Sequence, residues 1–332
     1  MPGASSRPSR SPEPTAGGGP ASSAGPLVRC PERVPLPDPR APPLSAPQLV
    51  HDQPVKGVLL LCVAVFLFAS VDALAKYLSA FYPIAMIVWA RYAVHTLLMV
   101  LVFVPRHQMA VVRTRQPLLQ LVRALSLLAV SLLFTTGLLY MPLAEQTSVL
   151  FITPILVTLY SALFLAERVR GGQWLAVAAG FIGVLIIVRP GGALFSPAAL
   201  LPLAAAACFG CYQLLTRKLG ETDSPVTTNF LTGLINSLVM TAGLALFWRQ
   251  LDFSHVPLML ALGTCGMLGH LLLTHSFRYA TPAVLGPISY AQIVFAGLLG
   301  ALFFAHTPDA WALLGMLVIA ASGLTIALGQ RA

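Results

Sequence analysis

The sequence predicts an all-α membrane protein, with ten transmembrane helices arranged as an inverted repeat of two five-helix units. Three observations predict it. The chain is 57% hydrophobic and 9% charged, against about 25% charged residues in an average soluble domain. Apolar segments follow one another from Gly57 to the C-terminus, each near the roughly 20 residues needed to cross a hydrocarbon core of about 30 Å. Finally, the chain repeats itself at a constant offset. Shifted by 139 positions, LLFTTGLLY (132–140) meets LLLTHSFRY (271–279), Ala144 meets Ala283, and Ala162-Leu163-Phe164 meets Ala301-Leu302-Phe303. Apolar segments share residues by chance, but not at one offset across two helices and the turn between them.

Residues 1–52 hold thirteen prolines among Ser, Gly and Ala. Such a stretch buries too little surface to order itself and reads as a disordered tail, or as an over-long start to the reading frame. It contains no apolar core of a signal peptide.

Ten spans follow, at about 57–79, 83–104, 118–139, 143–166, 173–189, 198–219, 226–248, 257–279, 282–305 and 308–329. Pro83, Pro142, Pro225, Pro282 and Pro308 stand near segment starts, where a missing N–H costs little. Short connections make neighbouring helices antiparallel. The first unit covers 57–190 and the second 197–330. With the N-terminus inside, the inside connections carry Lys56, Arg106, Arg113, Arg115, Arg168, Arg170, Arg217, Lys218, Arg278 and Arg331, and the outside ends only Lys76, Arg189 and Arg249. That asymmetry places both termini in the cytoplasm. Five helices per unit is an odd number, so the second unit enters the bilayer upside down. A shift of 142, which brings Lys76 onto Lys218 and Pro83 onto Pro225, extends the repeat to the first helices of each unit. Inverted repeats suit a machine that opens one central site to each side in turn.

The formal net charge of +9 is spread singly or in pairs between apolar segments, so nucleic-acid binding is not expected. Five cysteines form no disulfide pattern, and Cys208 and Cys211 read as small residues one turn apart in a membrane helix. With no GxxxxGK[ST] loop for nucleotide phosphates, any transport has to draw on an ion gradient or the solute's own.

Several residues carry a closer likeness. Pro142-Leu143-Ala144, Ser148, Leu150 and Pro154 open and interrupt the fourth helix, which ends on Ala166-Glu167-Arg168, and GGQWLAVAAGFIGVLIIVRPG (171–191) follows. Two tandem five-helix units of this form resemble the EamA family of the drug/metabolite transporter superfamily, over residues 57–330. The resemblance implies a ten-helix carrier of the bacterial inner membrane, without ATP hydrolysis or cofactor, and not an enzyme. The Arg189-Pro190-Gly191 ending and the Thr216-Arg217 pair look closest to members handling amino-acid-like metabolites, metallophores, riboflavin or S-adenosylmethionine. The second unit departs from the pattern, with Ala305-His306-Thr307 in place of the acidic ending and Ile293 where the first unit has Pro154.

The expected function is secondary-active transport of a small polar or zwitterionic metabolite by alternating access, leaning to export of an amino-acid-like or metallophore-type solute. Uptake of a vitamin or nucleoside-like solute is the alternative, and a non-transporting structural or regulatory membrane protein the remote one. The partners are the solute, a coupled proton if a buried carboxylate carries one, and the lipid bilayer. The sequence does not give the oligomeric state.

Ionisable side chains inside spans are costly and mark paths or partners. Asp72 and Lys76 lie four apart in the first helix, Arg91 lies at matching depth in the second, and Glu145 opens the fourth. They read either as a structural lock, Asp72 pairing with Lys76 or Arg91, or as the lining of a solute path. His95 and His270 are core histidines or proton relays, and with no HExxH no metal site is expected. Tyr290 and Gln292 in the ninth helix reach mid-membrane, where a carrier's site is expected. Arg123, a turn or so inside the third helix, is expected to snorkel to the surface. Pro154 and Pro287 each free a carbonyl, for solute or for a bend that serves as a hinge.

Overall fold

The structure, a computed structural model, describes residues 54–107, 114–164, 171–189, 196–219, 222–280, 285 and 288–329. Within them the regular elements are all helical: α1 (Pro54–Leu78), α2 (Ile84–His107), α3 (Pro117–Gly137), α4 (Leu143–Leu150), α5 (Thr153–Phe164), α6 (Gly171–Val188), α7 (Leu200–Leu219), α8 (Pro225–Phe247), α9 (Val256–Tyr279), α10 (Ala291–Phe304) and α11 (Ala310–Gly329), with short 3₁₀ turns before α7 and α9. Among the described residues, six helices are long and apolar enough to cross a membrane: Val55–Leu78, Ile84–Phe103, Pro117–Gly137, Pro197–Thr216, Val226–Phe247 and Phe253–Ser276. Shorter apolar helices cover Leu143–Val157, Val177–Val188, Ala291–Phe304 and Ala310–Thr325.

Local chemistry sets the ends. Pro117 and Pro225 occupy first turns, where their missing N–H leaves no bond unmade. Ser224 caps α8 by accepting from the Thr227 N–H at 3.1 Å. The helices stay apolar around their circumference: Leu59, Leu101, Leu175, Leu185, Phe303 and Leu317 are exposed while Leu61, Met86, Leu127, Ile187 and Ile319 are buried. A helix greasy on both its inner and outer faces belongs in lipid.

The fourth predicted span is broken. Helix α4 stops at Leu150, a turn holds Phe151 and Ile152, and α5 restarts with Pro154 in its first turn. Pro154 has no N–H for the Leu150 carbonyl, and the Thr153 hydroxyl donates to that oxygen instead, at 2.6 Å. The freed carbonyl is therefore satisfied locally, which leaves the bend as the consequence of the proline. Pro287 and the Glu167-Arg168 pair lie outside the described residues.

Helix α1 packs on α9 and α10, α2 on α8 and α9, α3 on α7 and α8, α4 on α10 and α7, α5 on α7, and α6 on α11. At one end of the bundle, the Tyr82 hydroxyl meets His255 Nδ1 at 3.0 Å and accepts from the Asp252 N–H at 3.0 Å. At the other, Asp223 of the α7–α8 turn accepts from the Thr114 hydroxyl, from the Arg115 N–H at 3.2 Å and from Gln120 Nε2 at 2.8 Å.

Candidate functional site

Polar side chains from four helices, α1, α2, α9 and α10, meet between the apolar faces. Asp72 sits six residues before the end of α1, about 9 Å along the axis at 1.5 Å per residue. Its Oδ2 accepts from Gln292 Nε2 of α10 at 3.3 Å. Arg91 of α2 acts on the same carboxylate through its charge, yet among the described residues neither Arg91 nor Lys76 makes an ion pair with it. The lock expected from the sequence thus has Gln292 as its bonded partner. Lys76 instead donates to the Met141 carbonyl at 2.8 Å and lies 5.5 Å from the Phe304 ring centre.

A turn beyond Arg91, the His95 and His270 rings lie 6.2 Å apart, with Phe68 edge-on to His270 at 5.0 Å. His95 is buried, with its Nε2 unpartnered among the described residues. Tyr290 stacks at a tilt on Phe151, ring centres 5.1 Å apart, and its buried hydroxyl has no hydrogen-bond partner. Its hydroxyl runs into the space beside Gly323 of α11, where even a Cβ would collide with it.

Glu145 stands apart from this group. Buried in the first turn of α4, it pairs through Oε1 with His306 Nε2 at 2.9 Å. His306 and Lys76 line a surface cleft of about 230 Å³ with Tyr140, Met141, Pro142 and Phe304. The sequence marked His306 only as a departure from the acidic ending of the first unit. Its role as the partner of Glu145 depends on a contact 161 positions away, which no local pattern announces.

Arg123 corrects an expectation outright. It does not snorkel: it is 2% exposed and bridges three helices. Its Nε donates to the Thr216 hydroxyl at 2.6 Å, its Nη1 to the Thr228 carbonyl at 3.2 Å and to the Thr232 hydroxyl, and its Nη2 to the Tyr212 hydroxyl at 2.8 Å. Oxygens at the right depth hold it in place, so it has no reason to reach for water. The threonines of TTNFLT (227–232) were the available signal.

Apolar helices packed around a partly polar interior define a multi-pass membrane protein. The chain belongs to the EamA-like transporter family, whose model matches residues 55–189 and 196–328. It is 32% identical over 282 residues to the pseudopaline exporter CntI of Pseudomonas aeruginosa, covering 82% of this chain and 95% of that one. It is 29% identical over 280 residues to a riboflavin transporter of Rhizobium johnstonii, covering 82% and 91%. Against an S-adenosylmethionine uptake transporter of Rickettsia bellii it is 23% identical over 260 residues, covering 78% and 89%. A solved crystal structure has the same fold, with a TM-score of 0.61 at 19% identity, covering 83% of this chain and 99% of its own. The protein is a bacterial multi-pass membrane transporter of a small molecule, and not an enzyme.

Proposed function

We propose that the chain is a secondary-active carrier of the inner membrane, with ten spans in two inverted five-helix units, 57–190 and 197–330, and both termini in the cytoplasm. In this reading α4 and α5 together make the fourth span, and the shorter apolar helices complete the set. Helices α1, α2, α3, α4–α5 and α6 then correspond to α7, α8, α9, α10 and α11. The packing pattern supports it. Exchanging each helix with its counterpart turns the α1·α9 contact into α7·α3, α2·α9 into α8·α3, and α1·α10 into the contacts of α7 with α4 and α5. The contacts α2·α8, α4·α10 and α6·α11 map onto themselves. Two units related in this way can exchange conformations, which is what alternating access requires.

The observation that carries the functional reading is the Asp72–Gln292 bond, a carboxylate of the first unit held by an amide of the second. Asp72, Arg91, His95, His270, Tyr290 and Gln292 line the path in this reading, Lys76 and Glu145 stand at its outer mouth, and Pro154 and Pro287 serve as hinges. The mixed charges suit a zwitterionic or polar solute, and a carboxylate between helices offers a place for a coupled proton. The 32% identity to an exporter of pseudopaline favours export of an amino-acid-like or metallophore-type solute. Uptake of a vitamin or nucleoside-like solute is the second reading, favoured by the riboflavin and S-adenosylmethionine transporters among the relatives.

Reconstituted vesicles test it. Solute should cross in response to its own or a proton gradient with no ATP present. A requirement for ATP, or no flux of any amino-acid-like, metallophore, flavin or nucleoside solute, overturns the carrier reading. Loading the vesicles from one side and then the other gives the direction.

A further inference from the structure

Arg123 is the buried charge that the path above does not use. All four of its hydrogen bonds go to neutral oxygens, those of Thr216, Thr228, Thr232 and Tyr212. Among the described residues the ion pairs join Arg189 to Asp309 and His306 to Glu145, and Arg123 takes part in neither. Hydroxyls and carbonyls satisfy a guanidinium's geometry but cannot balance its charge, and a buried cation without a counter-ion is costly. Asp72 does not supply the balance: its hydrogen bond is with Gln292, and it makes no ion pair with Arg123. Asp223, which reaches Thr228 only through Gln120, makes no ion pair with Arg123 either.

The position of Arg123 connects it to the path. Tyr92, next to Arg91 on α2, bonds to the Ser131 hydroxyl of α3 at 2.7 Å and to the Leu127 carbonyl at 3.3 Å, one to two turns deeper than Arg123. The Arg91 guanidinium carbon lies 5.8 Å from the Tyr92 ring centre. Along α3, Arg123 meeting Tyr212 of α7 is thus followed about two turns on by Ser131 meeting Tyr92, the neighbour of Arg91 on α2. Arg123 lies about 9 Å from the α3 start, at 1.5 Å per residue, on the side where Asp223 ties the α7–α8 turn to α3.

We infer that Arg123 is the receiving site for a carboxylate of the transported solute, so that the cargo carries at least one carboxylate that balances this guanidinium during passage. A planar fork of donors matches a carboxylate in two parallel bonds, which hydroxyl partners can yield without leaving a charge unpaired. The inference rests on the carrier reading and narrows its solute to organic acids, amino acids included. A residue needed only to tie α3 to α7 and α8 could form the same bonds without discriminating between solutes.

The experiment compares acids with their amides. Full-length protein purified in detergent is melted with malate, L-histidine or nicotinate, and separately with malamide, L-histidinamide or nicotinamide, at matched ionic strength. At least one acid should raise Tm while its amide does not. Arg123→Gln should erase that difference, and Arg123→Lys, which keeps the charge and loses the fork, should require on the order of tenfold more acid for the same shift. Equal shifts by acids and amides, no shift by any acid, or a difference that survives in Arg123→Gln overturns the inference. Should Arg123→Gln fail to fold, the Arg123→Lys titration decides, and an unchanged titration overturns the inference. Flux of the stabilising acid into vesicles separates the two levels. Flux that persists in Arg123→Gln removes the anchor and leaves the carrier, whereas acid-selective binding with no flux removes the carrier and leaves the anchor.

Discussion

Gln292 Nε2 donates to Asp72 Oδ2 at 3.3 Å, joining α10 to α1 across the middle of the bundle. That distance lies beyond the usual range for N–H···O bonds, so the amide holds the carboxylate weakly and can release it. Arg91 acts on the same carboxylate without bonding it. In the proposed carrier, a carboxylate held in this way exchanges partners with the passing solute or with a proton.

Asp72→Asn keeps the volume and removes the charge. Hydrogen bonds to charged groups contribute about 1.5–3 kcal/mol, so solute flux should fall by about 10- to 100-fold with normal expression. Gln292→Leu removes only the neutral partner and should cost a few-fold, about 1 kcal/mol. Vesicle flux at matched protein content measures both, and unchanged flux in Asp72→Asn would remove that residue from the path.

Ala305 ends α10 in the left-handed region at φ 51° and ψ 29°. The reversal lets the His306 N–H bond back to the Gly300 carbonyl at 3.2 Å and turns the His306 ring onto Glu145. A side chain at positive φ costs roughly 1–2 kcal/mol, and glycine's extra freedom in the unfolded chain offsets part of that relief. Ala305→Gly should therefore raise the Tm of the purified protein, by the equivalent of about 0.5–1 kcal/mol. A lower Tm would mean that the methyl group, and not the turn, holds the corner.

The membrane class, the family and the helical, apolar character of the segments were legible because each rests on a local property. Runs of apolar residues, turns at prolines and an offset repeat can all be counted along the chain. The site was legible only in part. Asp72, Arg91 and Gln292 stood out because polar residues within apolar spans are rare, but the partner of Asp72 is 220 positions away. Lys76 looked like its neighbour at i+4, yet its amine reaches the Met141 carbonyl in the α3–α4 connection. Arg123 was placed near the surface from its depth alone, and four oxygens on α7 and α8 decide otherwise. Helical spacing fixes which face a residue occupies, while its partner is fixed by which helix arrives opposite.

Asp223 predicts an acid limit for one end of the bundle. Burial pushes its carboxyl up, but the Thr114 hydroxyl, the Gln120 amide, the Arg115 N–H and the Arg115 charge together hold it below its ordinary value. A carboxyl depressed in the folded state adds stability above its unfolded pKa, about 3.9. That stability drains away as pH falls through the folded value. This group should therefore add no slope to Tm between pH 7 and about 5, and should begin to lower Tm only near and below about pH 4. Asp223→Asn should lie below wild type at neutral pH and converge with it in acid. Parallel curves across the whole range would show that the tie between α3 and the α7–α8 turn has no such linkage.

Helices α6 and α11 touch backbone to backbone. A Cβ on Gly315 would stand 2.7 Å from the Gly183 carbonyl oxygen and 2.6 Å from Ile187 Cγ1, and one on Gly183 would stand 2.7 Å from Ile319 Cγ1. Small residues are what allow such an approach in lipid, where helix association depends on close packing. Gly315→Ala should push the pair apart at about 1–3 kcal/mol, the usual cost of overpacking, and lower Tm accordingly. Gly243 in α8 is the control, since nothing lies within 4 Å of its Cβ position. There alanine meets open space and removes a flexible residue from a helix interior, so Gly243→Ala should leave Tm unchanged or raise it by up to about 1 kcal/mol equivalent. If both substitutions behave alike, the α6–α11 contact is loose enough to slide, and the pairing of the last helices of the two units is not a fixed seam.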